Sequence, residues 1–202
     1  MRSRDNRTLK IFEQLGAIKR GHFILTSGNH SDTYIQCARI LERPDITSRL
    51  CRQLLKPWLN QKIDVVAGPA VGGVIIAYEL ARIMRARAIY LERVENQLTL
   101  RRDFVINPDE KVLIVEDVVT TGGSAQEVMK VVGQYNAKPV GIVALVNRSG
   151  QTNPFSDLSR SGTGSAKFRS LIEINPPIYS PENCPLCQKG IPAVKPGSRG
   201  LK

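Results

Sequence analysis

Aromatic residues make up only 5% of the 202-residue sequence. This scarcity argues against a protein that binds nucleic acid by stacking bases on aromatic side chains. No apolar run approaches the roughly 20 residues that a membrane-spanning helix requires. The segment Met1–Lys10 is polar and charged, without the apolar stretch of a signal peptide. We therefore expect a cytoplasmic enzyme that does not associate with membranes.

Acidic residues are also in short supply, because 18 Asp and Glu stand against 29 Lys and Arg, which gives a net charge of +11. Strongly basic proteins bind nucleic acid or small polyanions. Here the basic residues are dispersed from Arg2 to Arg199 instead of forming one block. Phosphorylated small-molecule substrates would account for part of this excess, and nucleic acid is the less favoured partner.

Cysteine is rare as well, with four residues in the chain: Cys37, Cys51, Cys184 and Cys187. A disulfide framework is not expected in a cytoplasmic chain. The apolar content of 42% is ordinary for a folded protein. The length suits one well-buried α/β domain with an appendage.

The most informative segment is Val112–Val128. It begins with the apolar run Val112–Val115, which is typical of a strand buried on both faces. Two acids follow, Glu116 and Asp117, and then a small-residue loop, Thr120–Ser124, before helical spacing begins. The backbone N–H groups of such a loop and the N-terminus of the following helix attract an anion. The segment therefore predicts a phosphate-binding turn.

The two carboxylates beside this loop restrict the kind of ligand. They would repel a phosphate unless something separates them from it. A sugar whose hydroxyls donate hydrogen bonds to the carboxylates, with a magnesium ion nearby, provides that separation. The segment thus predicts a ribose 5-phosphate ligand.

A second strand–loop–helix unit precedes the first. Ile63–Ala67 is a predicted strand, Gly68–Gly73 a glycine-containing loop, and a helix begins near Val74. Glycines allow the backbone to approach a ligand closely. The loop has no Walker Lys and does not fit the dinucleotide-binding G-x-G-x-x-G pattern, so it predicts a second anion site of another kind.

In these features the chain resembles the type I phosphoribosyltransferases, whose phosphoribosyl pyrophosphate (PRPP) motif is four hydrophobic residues, two acids and a Thr/Gly-rich loop. The resemblance is strongest to the orotate phosphoribosyltransferases. It implies an α/β fold, a parallel helix-flanked sheet of about five strands with a small N-terminal hood. It also implies Mg²⁺ as cofactor, and a homodimer in which one subunit's loop serves the other's site.

The resemblance assigns roles to individual residues. Glu116, Asp117 and Arg93 are the predicted catalytic residues, with Asp117 the best candidate for a direct role in the transition state. The PRPP site is predicted to comprise Ala70, Val71, Gly72, Arg93, Glu116, Asp117, Val118, Val119, Thr120, Thr121, Gly122, Gly123 and Ser124.

Base recognition is assigned to Thr120, Arg148 and Thr26. Arg148 follows the predicted strand Val140–Val146, and a guanidinium fork suits a planar acidic pyrimidine. Asn147 stands where orotate enzymes have an acid. Thr26 lies in a predicted hairpin and stands where many orotate enzymes have a Lys.

Segment 92–102 is predicted to be a polar loop between the strand Arg87–Leu91 and a short strand around Leu98 and Leu100. In the family this position holds a mobile catalytic loop. Arg93, with Arg101 or Arg102, would neutralise the leaving pyrophosphate. The loop lacks the Lys and His residues common in orotate enzymes, and a purely solvated loop is the alternative.

The predicted division is a hood over the base at 1–40, a phosphoribosyltransferase core at 41–175, and a Pro-rich basic tail at 176–202. Residues 1–20 are predicted to be helical up to an interruption at Gly16, and 151–167 to form a Ser/Gly-rich surface excursion.

Two alternatives stay open for function. One is a phosphoribosyltransferase for another base, and the other is a regulator of the same fold that binds nucleic acid.

The tail, predicted to be irregular, contains Cys184-Pro-Leu-Cys187, which is half of a zinc site. No second cysteine pair or sequence-adjacent histidine completes it. His22 and His30 flank the hood turn and are predicted to be polar surface or turn residues. Zinc shared across a dimer and a redox-labile cysteine pair are both open interpretations.

Overall fold

The computed structural model describes residues 2–3, 6–156 and 167–196. Part of the predicted surface excursion (157–166) and the end of the tail (197–202) lie outside the described residues. The strands are β1 (Arg2–Ser3), β2 (Ile18–Ile24), β3 (His30–Ile35), β4 (Val65–Pro69), β5 (Arg87–Val94), β6 (Gln97–Leu100), β7 (Lys111–Val119), β8 (Lys138–Asn147), β9 (Phe168–Glu173) and β10 (Ile178–Tyr179). The helices are α1 (Asn6–Gln14), α2 (Ala38–Leu41), α3 (Pro44–Leu55), α4 (Gly72–Met84), α5 (Gly123–Gln134) and α6 (Pro185–Gln188).

Seven strands form the main sheet in the order β1-β9-β8-β7-β4-β5-β6. The five inner strands, from β9 to β5, pair in parallel, whereas β1 and β6 pair antiparallel to their neighbours at the two edges. The predicted α/β fold with about five parallel strands is confirmed. The antiparallel edge strands are an addition to it.

Helices cover both faces of this sheet because successive strand residues point to opposite sides. Val66 and Leu113 belong to the apolar core shared with α3 and α4, and Ala67 and Ile114 to the core shared with α5. Trp58, just after α3, is 1% exposed and donates from Nε1 to the carbonyl of Val140 on β8. The continuous apolar runs of β7 and β8 are thus explained by burial on both faces.

The hood differs from its predicted secondary structure at its start. Helix α1 ends at Gln14, and Gly16 takes a positive φ of 67°. Strand β2 then begins at Ile18, so the predicted interruption at Gly16 is confirmed, whereas residues 18–20 are strand and not the predicted helix. Glycine at the chain reversal allows a left-handed turn that ends the helix. β2 and β3 then form the predicted antiparallel hairpin.

The tail is more ordered than predicted. Strand β10 pairs antiparallel with β3, and Tyr179 lies opposite His30. Farther on, the N–H of Ile24 donates to the carbonyl of Val194, and the N–H of Val194 donates to the carbonyl of His22. The hood sheet, in the order β10-β3-β2, is therefore built from both ends of the chain.

Segment 92–102 contains most of a β-hairpin where a polar loop was predicted, and the predicted short strand around Leu98 and Leu100 is confirmed as β6. β5 continues to Val94 and pairs with β6 through a two-residue turn, Glu95–Asn96, with φ values of 46° and 65°. Two consecutive positive φ angles match the type I′ turn that suits the twist of a hairpin. Leu91 and Leu98 are buried and alternate with less buried residues such as Glu92, Gln97 and Thr99, a pattern typical of strands with one buried face.

Within residues 2–3, 6–156 and 167–196, the structure contains no helix with both the length and the apolar character needed to cross a membrane.

Candidate active site

Three neighbouring parallel strands bring the predicted site residues to one edge of the sheet. β4 pairs with β7, and β7 pairs with β8 up to the Val119–Asn147 position. The loop before α4, the loop before α5 and Arg148 all follow the carboxyl ends of these strands. Ligands of open α/β sheets bind at such an edge.

Glu116 is the buried member of the acid pair. It is 8% exposed, and its Oε1 accepts a hydrogen bond from the N–H of Asp117 at 3.3 Å. Burial, reinforced by the neighbouring charge of Asp117, raises the pKa of Glu116 to about 8. Burial disfavours the ionised carboxyl because the charge loses its hydration. A cation or a set of hydroxyl donors placed beside Glu116 would favour ionisation.

Asp117 lies against the start of α4. A Cβ built on Gly72, the first residue of α4, would come within 2.6 Å of the Asp117 carboxyl group. Asp117 Oδ1 also accepts a hydrogen bond from the N–H of Val118 at 2.8 Å. Helix N-termini carry a partial positive charge that stabilises a carboxylate. Glycine at position 72 therefore allows the second anion loop and the acid pair to meet.

The Thr/Gly-rich loop leads directly into α5. Thr120 and Thr121 are exposed, and Gly122 caps the helix with a φ of 82°. Gly122 also lies over the buried ring of Phe155, so that an added Cβ would come within 2.7 Å of it. The first turn of α5 contains no acidic residue. A pocket here is lined by Glu116 and by Val118–Ala125. The first amides of a helix lack intrahelical acceptors, and this loop has the chemistry to hold a phosphate.

The second anion loop comprises Ala70, Val71 and Gly72. The N–H of Ala70 donates to the carbonyl of Leu91 at 2.8 Å, which fixes the loop to β5. The Ala70–Val71 peptide bond is cis, and Val71 is 86% exposed. The first turn of α4, like that of α5, contains no acidic residue. Two helix N-termini without acidic neighbours in their own first turns thus flank the acid pair.

Arg148 supplies a partly buried cation at the same edge. The backbone N–H of Arg148 donates to the carbonyl of Val119 at 2.7 Å. The side-chain Nε is buried and has no hydrogen-bond partner among the described residues. Burial lowers the pKa of Arg148 below its usual value. Asn147 organises the turn that follows, because its Oδ1 accepts from Ser149 and its Nδ2 donates to the carbonyl of Gln151. A buried donor without an acceptor indicates a place for an anionic ligand.

Other predicted site residues lie elsewhere in this structure. Arg93 is exposed on the β5–β6 hairpin and forms an ion pair with Glu127 of α5 at 3.1 Å. Arg102 forms a two-pronged pair with Glu92, both contacts at 2.9 Å, and Arg101 lies 4.0 Å from the same acid. Thr26 is exposed at the turn between β2 and β3. The structure does not bring these side chains to the acid pair.

Two residues near Asp117 were not anticipated. The Sγ of Cys37 lies 3.8 Å from the carbonyl oxygen of Asp117, and burial followed by the charge of Asp117 raises the pKa of Cys37 well above its usual value. Burial and then Asp117 also raise the pKa of Tyr34 on β3. The hood strand therefore reaches the acid pair.

The prediction that His22 and His30 are surface or turn residues is wrong. They are 3% and 7% exposed, and they lie beside Cys184 and Cys187. Of these four residues, only Cys187 is exposed. The Cys-x-x-Cys pair therefore has two histidines beside it in the fold, although it has none near it in the sequence. We call His22, His30, Cys184 and Cys187 the hood–tail cluster.

Comparison with known proteins agrees with this geometry. Residues 38–163 match the family described as the phosphoribosyl transferase domain. The chain belongs to the phosphoribosyltransferase family.

Within that family, a curated relative named orotate phosphoribosyltransferase, from Thermotoga maritima, is 45% identical and covers 96% of this chain and 98% of its own. The solved orotate phosphoribosyltransferase from Aeropyrum pernix is 25% identical, with a TM-score of 0.66, covering 82% of this chain and 92% of that one. The fold is shared more widely. The adenine phosphoribosyltransferase from Rhodothermus marinus has a TM-score of 0.64 at 20% identity, covering 84% of this chain and 100% of that one.

Proposed function

We propose that this protein is an orotate phosphoribosyltransferase. It transfers ribose 5-phosphate from PRPP to orotate and yields orotidine 5′-monophosphate and pyrophosphate, a reaction of pyrimidine biosynthesis. The proposal rests on one observation: a single sheet edge carries an acid pair, two helix N-termini that begin with glycine, and the partly buried guanidinium of Arg148. The 45% identity to a relative of that name over nearly the whole chain supports the choice of base.

The sugar-phosphate is held by the main motif. Thr120–Ser124 and the N-terminus of α5 bind the 5-phosphate, while Glu116 and Asp117 accept hydrogen bonds from the ribose hydroxyls. The loop Ala70–Gly72 and the N-terminus of α4 bind the pyrophosphate. These contacts hold C1 of the sugar in line between the leaving group and the base, which lowers the entropic part of the barrier.

Bond breaking at C1 gives the sugar ring cationic character before the base nitrogen attacks. The carboxylates of Glu116 and Asp117 favour that positive charge electrostatically. Asp117 lies against the N-terminus of α4, where the pyrophosphate would bind. We assign Asp117 the direct role in stabilising the transition state.

Mg²⁺ is the proposed cofactor. The hard carboxylate oxygens of Glu116 and Asp117 are the ligand type that Mg²⁺ prefers, and the raised pKa of Glu116 indicates a site that would gain from a nearby cation. When bound, Mg²⁺ would supply charge dispersal on the pyrophosphate leaving group.

Orotate recognition is assigned to Arg148, with Thr120 and Thr26 as further contacts. The buried Nε of Arg148 needs an acceptor, and orotate offers a carboxylate and ring carbonyls on one planar edge. An adenine ring carries no comparable anionic group, so this site favours the acidic pyrimidine.

A homodimer is proposed as the working form, in the cytoplasm. The exposed apolar residues Val71, Ile75 and Tyr78 follow the i, i+4, i+7 spacing at the start of α4, and they are 86%, 50% and 65% exposed. A stripe of this kind beside a ligand loop suits a partner of the same chain. In such a dimer the hairpin arginine Arg93 would serve the partner's pyrophosphate site after releasing Glu127.

The test is a panel of bases offered with PRPP and Mg²⁺, with release of pyrophosphate as the measurement. Orotate is expected to support turnover, and adenine, hypoxanthine, guanine and uracil are expected to give at most background release. Turnover with a purine and none with orotate would contradict the proposed base. Release with none of the bases would contradict the proposed reaction.

A further inference from the structure

We propose that the hood–tail cluster is a structural zinc site. The four side chains offer two imidazole nitrogens and two thiolate sulfurs, and their ligand atoms all lie within 4.8 Å of one another. Two residues come from the hood and two from the tail, and neither pair takes part in the phosphoribosyl transfer described above.

The distances match those around a single tetrahedral ion. With Zn–N of about 2.05 Å and Zn–S of about 2.3 Å, tetrahedral angles separate two nitrogens by about 3.3 Å and a nitrogen from a sulfur by about 3.6 Å. The sulfurs of Cys184 and Cys187 lie 3.5 and 3.7 Å from His22 Nε2, and the sulfur of Cys187 lies 3.3 Å from His30 Nδ1. The two nitrogens are 2.8 Å apart, slightly closer than the ion would hold them.

Ordinary hydrogen bonding does not account for this convergence. His22 Nδ1 lies 2.7 Å from the carbonyl oxygen of Ile191, which can only accept, so Nδ1 carries the proton. In the neutral ring, His22 Nε2 then offers a single lone pair. Three groups, from His30, Cys184 and Cys187, approach that one nitrogen, and one lone pair cannot accept from all of them. A cation at their centre satisfies all four ligands at once.

The same contact with Ile191 provides the outer hydrogen bond that metal-binding histidines usually make. It fixes the tautomer and the orientation of the ring. Two thiolates and Zn²⁺ sum to zero charge, which suits a cluster in which His22, His30 and Cys184 are buried. Two sulfurs and two nitrogens in tetrahedral arrangement favour zinc among the common metals.

The backbone supports the ligands on both sides. His22 lies at the register shift of the β2–β3 hairpin, two residues before Ile24, which pairs with His30, and the two imidazole rings have centroids 4.8 Å apart. The Cys pair brackets the start of α6, where the N–H of Gln188 donates to the carbonyl of Cys184 at 3.1 Å. A two-iron cluster with histidines on one iron and cysteines on the other is disfavoured, because it would hold the two ligand pairs farther apart.

All four positions are filled by protein, so the site has no open coordination position for chemistry. Its role is to join the two ends of the chain. His30 begins β3, which ends at Ile35, and the Sγ of Cys37, two residues farther along the chain, lies 3.8 Å from the carbonyl oxygen of Asp117. Zinc at one end of β3 would therefore hold in place the strand whose other end reaches the acid pair.

The experiment measures zinc in the full-length protein, produced without a histidine tag and dialysed against metal-free buffer. One zinc per chain is expected by mass spectrometry of the metal. Cys187→Ser, at the exposed ligand, should reduce the content at least fivefold. Cys51→Ala is the matched control, because Cys51 is a free cysteine buried in α3, away from the cluster, and this variant should keep its zinc.

Cobalt provides a second measurement that does not depend on the variants folding. Co²⁺ in the wild-type protein should show the intense visible absorption of tetrahedral coordination together with thiolate charge-transfer bands. Chelation should lower the melting temperature of the wild-type protein, because the metal binds the folded state.

Several outcomes would overturn the proposal. One is wild-type protein that holds no zinc and gives only octahedral cobalt spectra. Another is a Cys184–Cys187 disulfide found by mass spectrometry in freshly purified protein. A third is zinc retained in Cys187→Ser, which would place the metal at another site.

Discussion

The sheet edge and the hood–tail cluster both concentrate polar side chains in the protein, but they are assembled from different kinds of sequence. Glu116, Asp117 and the loop to Ser124 belong to one strand–loop–helix segment. In the cluster, by contrast, His22 and Cys184 are 162 residues apart. A site built from one segment can be recognised in the sequence. A site built from both ends of the chain becomes visible only when the fold brings the ends together.

The two regions also differ in what they offer a ligand. The sheet edge has accessible backbone amides, an exposed loop and a buried guanidinium nitrogen without a partner, which suit a substrate that enters and leaves. The cluster has four convergent ligand atoms and no free position. We therefore expect changes at the sheet edge to alter turnover without altering zinc content, and the following predictions test that separation.

Asp117→Asn should have the largest effect. It removes the negative charge beside the N-terminus of α4 while keeping the shape of the side chain. Loss of one electrostatic contact to a transition state typically costs about 10²–10³-fold in turnover, and we expect a fall in kcat of that size. Steady-state rates with orotate and PRPP are the measurement. Unchanged turnover would remove this carboxylate from the mechanism.

Asp109→Asn is the matched control, because Asp109 is an exposed carboxylate paired with Lys138 and has a positive φ that Asn tolerates. Its turnover should match that of the wild type. Both variants should hold the same amount of zinc. Loss of zinc in Asp117→Asn would show that the two regions are not separable.

Glu116→Gln should change how stability depends on pH in the absence of ligands. The folded-state pKa of Glu116 is about 8, above its ordinary value of 4.5. The unfolded chain therefore loses this proton first, and the wild-type free energy of unfolding should fall as pH rises from about 4.5 to about 8. One pKa unit corresponds to about 1.36 kcal/mol, so the loss is of the order of a few kcal/mol.

Urea unfolding at pH 5 and pH 9 measures this effect. Glu116→Gln cannot ionise, so its stability relative to wild type should be greater at pH 9 than at pH 5. Equal differences at the two pH values would show that Glu116 does not hold its proton in the folded protein.

Arg148→Lys should weaken orotate binding with a smaller effect on PRPP. Lysine keeps the charge but loses the planar fork of donors. A hydrogen bond to a charged group contributes about 1.5–3 kcal/mol, so the KM for orotate should rise at least roughly tenfold. Arg39→Lys, at an exposed arginine paired with Glu42, is the control. An equal rise in the KM for PRPP would place Arg148 at the sugar and not at the base.

Gly72→Ala should have the smallest effect of the four. The added methyl would come within 2.6 Å of the Asp117 carboxyl group, so the loop and the acid must separate slightly. A loss of PRPP affinity of about fivefold, or about 1 kcal/mol, is expected in titrations. In Gly133→Ala the new methyl meets nothing within 4 Å, so this variant should bind PRPP normally. Equal affinity in both variants would contradict the close contact between the two loops.

Sequence-based prediction succeeded at the sheet edge, where one local segment supplies most of the site. Val112–Val115 and the residues up to Ser124 predicted a buried strand, an acid pair and a helix N-terminus, and the structure has all three, with the acid pair inside β7 because that strand continues to Val119. Arg148 was predicted at the edge of the next strand and is found there. These predictions need only local periodicity and the rule that parallel strands end at one edge.

The errors arise where distant segments decide the outcome. His22 and His30 were predicted to be turn residues because they flank the hood turn in the sequence, and the tail that covers them begins about 150 residues later. The polar segment 92–102 reads as a loop because its charged residues obscure a short hairpin, whose turn at Glu95 and Asn96 requires two positive φ angles. Its arginines are held by Glu92 and Glu127 in this structure, which sequence alone did not indicate.

The central claim is that the acid pair and the two helix N-termini hold opposite ends of one activated sugar. Titration calorimetry of the wild-type protein with PRPP and Mg²⁺ tests it most directly, with the Glu116→Gln, Asp117→Asn double variant as comparison. One PRPP bound per chain, with markedly weaker binding to the double variant, is the expected result. No detectable binding to the wild-type protein, or equal binding to both proteins, would contradict the claim.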